Sequence, residues 1–438
     1  MIAPTDRLLI WVAVLLPVAA IGALVSTAAG IAMAIALALA CTVLVDAATA
    51  RHRLAGVRLA LPEISRLRRG QIGSIAVQLF GATDCGELRL GLDLPAALTS
   101  EVGIRHIALP AGEDGGQLEW MCHGEARGSY TLRRAFVDTR SRLGFWRVRR
   151  EIDCQSEVRV YPSLLGERRK LAAIFLNRGA LGVHAQRQLG QGRDFEKLRN
   201  YIPGDSYDDI HWKATAKRGH PVTKLFQIER TQDIYAIVDA SRMSASQIGG
   251  DALIEQFVTS SLVLGLAAER QGDCFGLVAF DRSVQRFVRA SGGQAHFNMC
   301  REALYNLHGS TVTPSFDELF TFIRTRLRRR SLLLVLTDLG DPMLAEQFVR
   351  SIDLVCRQHK VLVLMPRRDG MVPLYTADPP ADRDALYAEL GGHLMWARLQ
   401  EVSRTLERKG VGLSLVDHDR LGVEVVTQYM QIKARQAL

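Results

Sequence analysis

Several chemistries are missing from this chain. Its seven cysteines, Cys41, Cys85, Cys122, Cys154, Cys274, Cys300 and Cys356, are odd in number and form no C-x-x-C pair, so neither a disulfide framework nor a zinc site is signalled. No G-x-x-x-x-G-K-S/T loop occurs, which excludes a P-loop nucleotide hydrolase. The histidines, among them His211, His220, His296 and His308, form no H-E-x-x-H pair, and no G-x-S-x-G elbow is present. Both absences argue against two common hydrolase designs. Charge is missing altogether between Leu8 and Val45.

That uncharged run is too long for one crossing of a ~30 Å hydrocarbon core at ~1.5 Å per residue. It predicts a two-helix transmembrane hairpin within residues 1–50, with spans at about Leu8–Val25 and Ala28–Ala48 and with Ser26, Thr27 and Gly30 near the turn. A secretory signal is the competing reading, since Arg7 precedes the run and Ala48-Thr49-Ala50 looks like a cleavage site. Its apolar core of ~7–15 residues would be far shorter. Arg7 lies before the run, and Arg51, Arg53, Arg58, Arg66, Arg68 and Arg69 follow it. The positive-inside rule places both ends, and the soluble domains, in the cytoplasm of a bacterial-type inner membrane. The net charge of +9 then suits an anionic bilayer surface, and no nucleic-acid partner is called for. Arg324, Arg326, Arg328, Arg329 and Arg330 read as a solvated helix C-terminus before a strand.

Residues 51–165 show strand alternation, in Ile75, Val77 and Leu79, in Leu88, Leu90, Leu92 and Leu94, and in Val158 and Val160. This predicts a small antiparallel β-sandwich-like domain. From residue 233 to 438 short apolar strands alternate with helical stretches, the pattern of parallel βαβ units and an α/β fold with a doubly wound sheet. The strands are expected at Ile234–Val238, Cys274–Phe280, Leu332–Leu336, Val361–Met365 and Val411–Leu415. One helix would carry Ile254, Phe257, Val258, Leu262 and Leu266 on one side, and another would span Phe316–Arg328. Doubly wound sheets bind ligands at the carboxyl ends of their strands, where Asp239 and Asp338 fall.

Residues 166–232 form a connector. Its segment GRDFEKLRNYIPGDSYDDIHWKATAK, Gly192 to Lys217, mixes aromatics with both charges too closely for one helix face or one strand. Asp194, Arg199, Asp205, Asp208, Asp209 and Lys213 suggest a charged network around Phe195, Tyr201 and Trp212, with a turn at Pro203-Gly204. His211 with Asp205 or Asp209 is the catalytic alternative, because histidine exchanges protons near neutral pH. The spacing of Gly192, Asp194, Phe195, Leu198, Arg199, Tyr201, Gly204, Asp205, Ile210 and Trp212 resembles domain-of-unknown-function family 58, whose members join this motif to a von Willebrand factor A-like domain. Arg127-Gly128-Ser129-Tyr130 is similar to the family's R-G-x-Y. The D-P-F-G-L-F that follows it in relatives is here Ser141-Arg142-Leu143-Gly144-Phe145-Trp146, without the Asp-Pro pair.

The resemblance implies a metal-ion-dependent adhesion site. Asp239 and Ser241 match D-x-S-x-S, Thr311 or Thr313 would supply the second loop, and Asp338 the third. Such a site takes Mg²⁺ or Mn²⁺ through oxygen ligands. Met243 stands where the second serine belongs, and a thioether is a poor ligand for a hard cation; Ser244 or water would have to replace it. The alternative use of these residues is structural, with Asp239 capping a helix and Asp338 bonding a turn. The resemblance further implies a MoxR-type AAA+ ATPase as partner. Together these features describe a non-enzymatic, membrane-anchored adaptor that contacts the lipid bilayer and other membrane or client proteins in complex assembly or maturation. The alternative is a metal-dependent hydrolase built on Asp239, Asp338 and a nearby histidine.

Overall fold

The computed structural model describes all residues except 25, 84, 86, 109–114, 168, 170, 174–188, 204–205, 228–230, 249, 369, 375–381 and 436–438. By contact density the chain divides into two compact units, Met1–Ser163 and Leu164–Leu438.

In the first unit β1 (Ile2–Pro4) precedes the helices α1 (Asp6–Leu24) and α2 (Ser26–Ala50). Val25, one end of an expected span, lies outside the described residues. Ser26 and Thr27 are the first residues of α2, next to the end of α1 as expected, whereas Gly30 lies inside α2: one glycine costs a helix only about 1 kcal/mol relative to alanine, too little to stop a run of alanine, isoleucine and leucine. Leu16, Ile21, Ile31, Met33, Leu37 and Leu44 are exposed along both helices. The stretch Ala29–Ala50 is long and apolar enough to cross a membrane.

The chain continues through β2 (Arg58–Ala60), β3 (Ile64–Arg68), β4 (Ile72–Phe80), β5 (Glu87–Leu92), β6 (Leu98–Thr99), β7 (Arg105–Ala108), β8 (Gly115–Gly124), β9 (Gly128–Arg140) and β10 (Trp146–Tyr161). One sheet has the order β1-β10-β9-β5-β7, with β3 also on β10; the other is β2-β4-β8-β6. The alternation read from sequence is the buried set: Ile75, Val77, Leu79, Leu88, Leu90, Leu92, Val158 and Val160 pack in one core with Trp120. The sandwich is not wholly antiparallel, because β3 runs parallel to β10 with Ile64 opposite Glu157. Alternation reports which face is buried and carries no strand direction. Both ends of the helix pair are tied to this sandwich. Thr5 N donates to Phe145 O at 2.9 Å, Trp146 Nε1 to Val43 O at 3.0 Å, and Leu143 N to Asp46 Oδ1 at 3.1 Å.

The second unit opens with β11 (Leu189–Asn200), α3 (Trp212–Arg218) and β12 (Val222–Gln227). β13 (Asp233–Asp239) follows, then the short pair β14 (Gln247–Ile248) and β15 (Asp251–Ala252), α4 (Leu253–Arg270), β16 (Cys274–Phe280) and β17 (Val284–Ser291). Next come α5 (Gln294–Leu304), α6 (Phe316–Arg326), β18 (Leu332–Leu336), α7 (Pro342–Ser351), β19 (Lys360–Pro366), α8 (Arg383–Arg408), β20 (Gly412–Val416) and α9 (Leu421–Ala434). α6 ends two residues before the expected Arg328, where Leu327 turns into the core and becomes buried.

The large sheet runs β17-β16-β13-β18-β19-β20. In order of appearance this is 3-2-1-4-5-6, a doubly wound arrangement, with β17 alone antiparallel to its neighbour. Its inner strands are almost continuously buried, as parallel strands covered on both faces must be. Ile254, Phe257, Val258, Leu262 and Leu266 of α4 lie in the core on one face, and Phe316, Phe320 and Phe348 of α6 and α7 in the core on the other. The strand order reverses between β13 and β18, and the crevice at such a switch point is where doubly wound sheets hold ligands.

Candidate functional site

Asp239 ends β13 and Asp338 follows β18 by two residues, so the two expected carboxylates flank the switch point. Asp239 is fully buried. Its Oδ1 accepts from Ser241 N at 2.9 Å and its Oδ2 from Thr337 Oγ1 at 2.6 Å. Burial pushes its carboxyl above the ordinary range, against the hydrogen bonds from Ser241 and Thr337, and nearby Asp338 adds to the rise. It caps no helix: α4 begins after Ala252. Asp338 Oδ1 accepts from Gly340 N at 2.8 Å, the turn contact read as its structural use, while Oδ2 lies 2.5 Å from Arg368 Nη2.

The second loop reaches the same edge through its backbone. Ser310 N donates to Ala240 O at 2.7 Å and Arg242 N to Val312 O at 2.9 Å. Thr311 and Thr313 are exposed on it. Ser310, which sequence reasoning passed over, has a buried hydroxyl without a hydrogen-bond partner.

The donors present do not fit a divalent cation. Met243 packs against the apolar core. Ser244 does not replace the missing serine, because its hydroxyl is buried and donates to Ser241 O at 2.8 Å. Both oxygens of Asp239 are engaged, and Asp338 already has a cation on it. Among the described residues no group of three or more His, Cys, Asp or Glu is placed to hold a metal.

Arg368 is the residue of this edge that the sequence reading missed. Strands β16, β13, β18 and β20 lead into Asp281, Asp239, Asp338 and Asp417, whereas β19 leads into Arg367 and Arg368. Since β19 lies between β18 and β20, each arginine meets a flanking carboxylate: Arg368 pairs with Asp338, and Arg367 with Asp417. Two arginines directly after a predicted buried strand were the available signal. Beside them is a cavity of about 390 Å³, lined by Arg367, Arg368, Gly370, Val372, Asp417, His418 and Asp419.

The connector is a β-hairpin enclosing one short helix. β11 pairs antiparallel with β12, and Ile210 bridges to Thr223. His211 Nδ1 accepts from Ala214 N at 3.0 Å and so caps α3, a structural use of the residue weighed as a catalytic base. Its proposed partner Asp205, with Gly204, lies outside the described residues, as do the side chains of Asp194, Phe195 and Asp209; Gly192 lies on β11. Leu198 and Arg199 lie on β11 opposite Lys224 and Thr223. Tyr201 stacks on Tyr207 with ring centroids 6.0 Å apart. Ile210 is buried, but Trp212 is 69% exposed, because it opens a helix with no buried residue; it is not the centre of a charged network. Of the other histidines named from the sequence, His220 contacts Asn200, His308 contacts Asn306, and His296 contacts both Phe275 O at 2.7 Å and Cys300 Sγ at 3.6 Å.

The strand order defines a doubly wound α/β domain with two aspartates at its switch point. Residues 197–375 match the family model described as "Protein of unknown function DUF58", so the resemblance drawn from the motif holds over that span. The Mycobacterium tuberculosis protein described as "Uncharacterized protein Rv1480" is 24% identical over 272 residues, which are 57% of this chain and 82% of that protein. Among solved structures, the SpRpn10 VWA domain is 10% identical with a TM-score of 0.30, covering 45% of this chain and 95% of that one. An aerotolerance-related membrane protein from Bacteroides fragilis is 13% identical with a TM-score of 0.30, covering 46% and 99%.

Proposed function

We propose that the chain is a membrane-anchored adaptor whose von Willebrand A-like domain binds a partner protein at the carboxyl edge of its sheet, on the cytoplasmic face. The observation that carries this reading is the polar edge itself. Asp239 and Asp338 flank the switch point, where this fold presents its binding crevice, and Arg368 from the neighbouring β19 reaches Asp338, with the Arg367–Asp417 pair beyond it. The anchor is a pair of crossings, α1 and α2. Support comes from their exposed apolar side chains and from the attachment of both outer ends to the same β-sandwich, through Thr5 and through Asp46. Arg7, Arg51 and Arg53 flank those ends, which by the positive-inside rule puts the sandwich in the cytoplasm.

The partner favoured by the family resemblance is a MoxR-type AAA+ ATPase, which would supply the nucleotide chemistry that this chain has no loop for. Crosslinked capture from native membranes tests it, comparing the intact chain with Asp239→Ala after equal folding is verified. Recovery of an AAA+ ATPase with the intact chain and its loss with the variant is the expected result. Recovery of no ATPase in either sample overturns the partnership.

A further inference from the structure

We propose that Arg368 is the resident cation of this sheet edge. Its guanidinium takes the role at Asp338 that a divalent ion would take and makes the edge a metal-independent receptor for a carboxylate of the partner. The receptor clause rests on the adaptor reading; the cation clause does not.

The two sides of the Arg368–Asp338 pair are unequally placed. The Asp338 side chain is 0% exposed and the Arg368 side chain 37%, so the carboxylate is inside and the arginine side chain reaches the surface, with its Nε buried. One Nη serves Asp338 at 2.5 Å. An arginine carries five N–H donors in a planar fork that suits bidentate pairing with a carboxylate, so the exposed part of the fork retains donors for an incoming acid. The adjoining cavity of about 390 Å³ has room for an acidic side chain next to that fork; its lining includes Arg367, His418 and the carboxylates Asp419 and Asp417, the latter paired with Arg367. Arginine stays protonated at any physiological pH, so this cation cannot be lost as a bound metal can.

A metal ion would first have to displace Arg368, and the exchange forfeits the guanidinium's charge-assisted bond to a buried carboxylate. The strand order enforces the arrangement. β19 is the one strand of the parallel set that leads into arginines, and it lies beside β18. Met243 removes a ligand, but on this argument restoring the serine would not by itself restore metal binding.

The test is Mn²⁺ titration of the full chain in detergent micelles, read from the electron paramagnetic resonance signal of the free ion. The natural chain and Met243→Ser are expected to leave that signal undiminished. Met243→Ser with Arg368→Gln, in which the amide still donates to Asp338, is expected to bind Mn²⁺ at least about tenfold tighter than Met243→Ser alone, within the usual range of coupling between two competing ligands. Mn²⁺ bound by the natural chain at a site lost in Asp239→Asn overturns the proposal, as does a double variant no tighter than Met243→Ser. If the Arg368 variants do not fold, the natural chain and Met243→Ser still decide: binding in either overturns it, and binding in neither supports it. Repeating the ATPase capture in EDTA addresses the receptor. Capture that persists in EDTA and is lost in Arg368→Gln supports it, and capture retained undiminished by Arg368→Gln overturns it. No capture from any sample counts against the adaptor reading and its receptor clause, while the Mn²⁺ titration still decides the cation role.

Discussion

Asp46 Oδ2 accepts a hydrogen bond from Ser141 Oγ at 2.5 Å, across 95 residues of chain. Both residues are buried, and Ser141 Oγ also accepts from Trp146 N at 3.0 Å. The turn between them is closed by Gly144 N donating to Ser141 O at 3.1 Å, with Gly144 at a φ of 80° that favours glycine. This is the segment where the family resemblance leads one to expect an Asp-Pro pair. The turn here receives its carboxylate from α2, so one residue both orders the loop and fastens the helix to the sandwich.

Asp46→Ala strips the acceptor from Ser141 Oγ and Leu143 N. Each buried donor left unpaired costs about 1–3 kcal/mol. Asp46→Asn keeps an acceptor and should lose less. Thermal unfolding of the full chain in detergent ranks the three, and equal melting temperatures would show that this joint does not stabilise the fold.

Asp239 gives a pH-dependent prediction. Burial raises its carboxyl above the ordinary range, so the folded chain keeps the proton to higher pH than the unfolded chain, whose value is about 3.9. Unfolding therefore releases a proton in the window between the two values. The contribution of this residue is fully present below about pH 3.9 and is lost as pH rises through the folded value. Asp239→Asn keeps an acceptor for Ser241 N and removes that loss. Its stability relative to the natural chain should increase with pH in urea unfolding. A difference that stays flat with pH would mean that Asp239 is ionised in the fold.

The inner strands of the large sheet were legible because full burial on both faces writes itself as unbroken apolar runs. Cys274–Phe280 and Leu332–Leu336 are the observed β16 and β18, and the other three parallel strands shift by one residue at each end. β17 was not legible, since an edge strand of mixed burial such as Val284–Ser291 lacks both the run and a clean alternation. β1 has three residues, too few for any period. At the site, Asp239 and Asp338 could be placed because each follows a strand. Arg368 could not be assigned to Asp338 without the strand order, which sets β19 beside β18 and lies in no local pattern.

Tyr429 and Asp273 fasten the C-terminal helix. The Tyr429 hydroxyl donates to Asp273 Oδ2, Lys433 Nζ lies 2.7 Å from the same oxygen, and Gln232 N donates to Oδ1 at 3.1 Å. Burial first, then the bond to Asp273, pushes the phenol far up, so it remains a neutral donor. Tyr429→Phe removes a bond to a charged acceptor, worth about 1.5–3 kcal/mol, while Asp273 keeps its other two partners. Urea unfolding should register that loss, and amide hydrogen exchange should locate it in α9. A loss below about 0.5 kcal/mol, the ordinary scatter of surface substitutions, would mean that Lys433 alone holds the helix.

Two residues of the same motif should behave oppositely. Ile210 is 6% exposed and Trp212 69%, although they lie two positions apart and both belong to the fixed spacing of the connector. Ile210→Ala empties a packed position and should cost about 2–5 kcal/mol. Trp212→Ala removes a side chain that the fold does not bury and should change stability by no more than about 0.5 kcal/mol. Tryptophan is among the side chains that most often carry binding energy at interfaces. An exposed one in a connector that also carries exposed Tyr207 therefore separates folding from recognition. Under the adaptor reading, Trp212→Ala should fold normally and weaken ATPase capture, whereas Ile210→Ala should lose capture only as far as it loses folded protein. Equal destabilisation by the two would assign the whole motif to holding the connector together, and the partner's surface would have to be sought at the sheet edge alone.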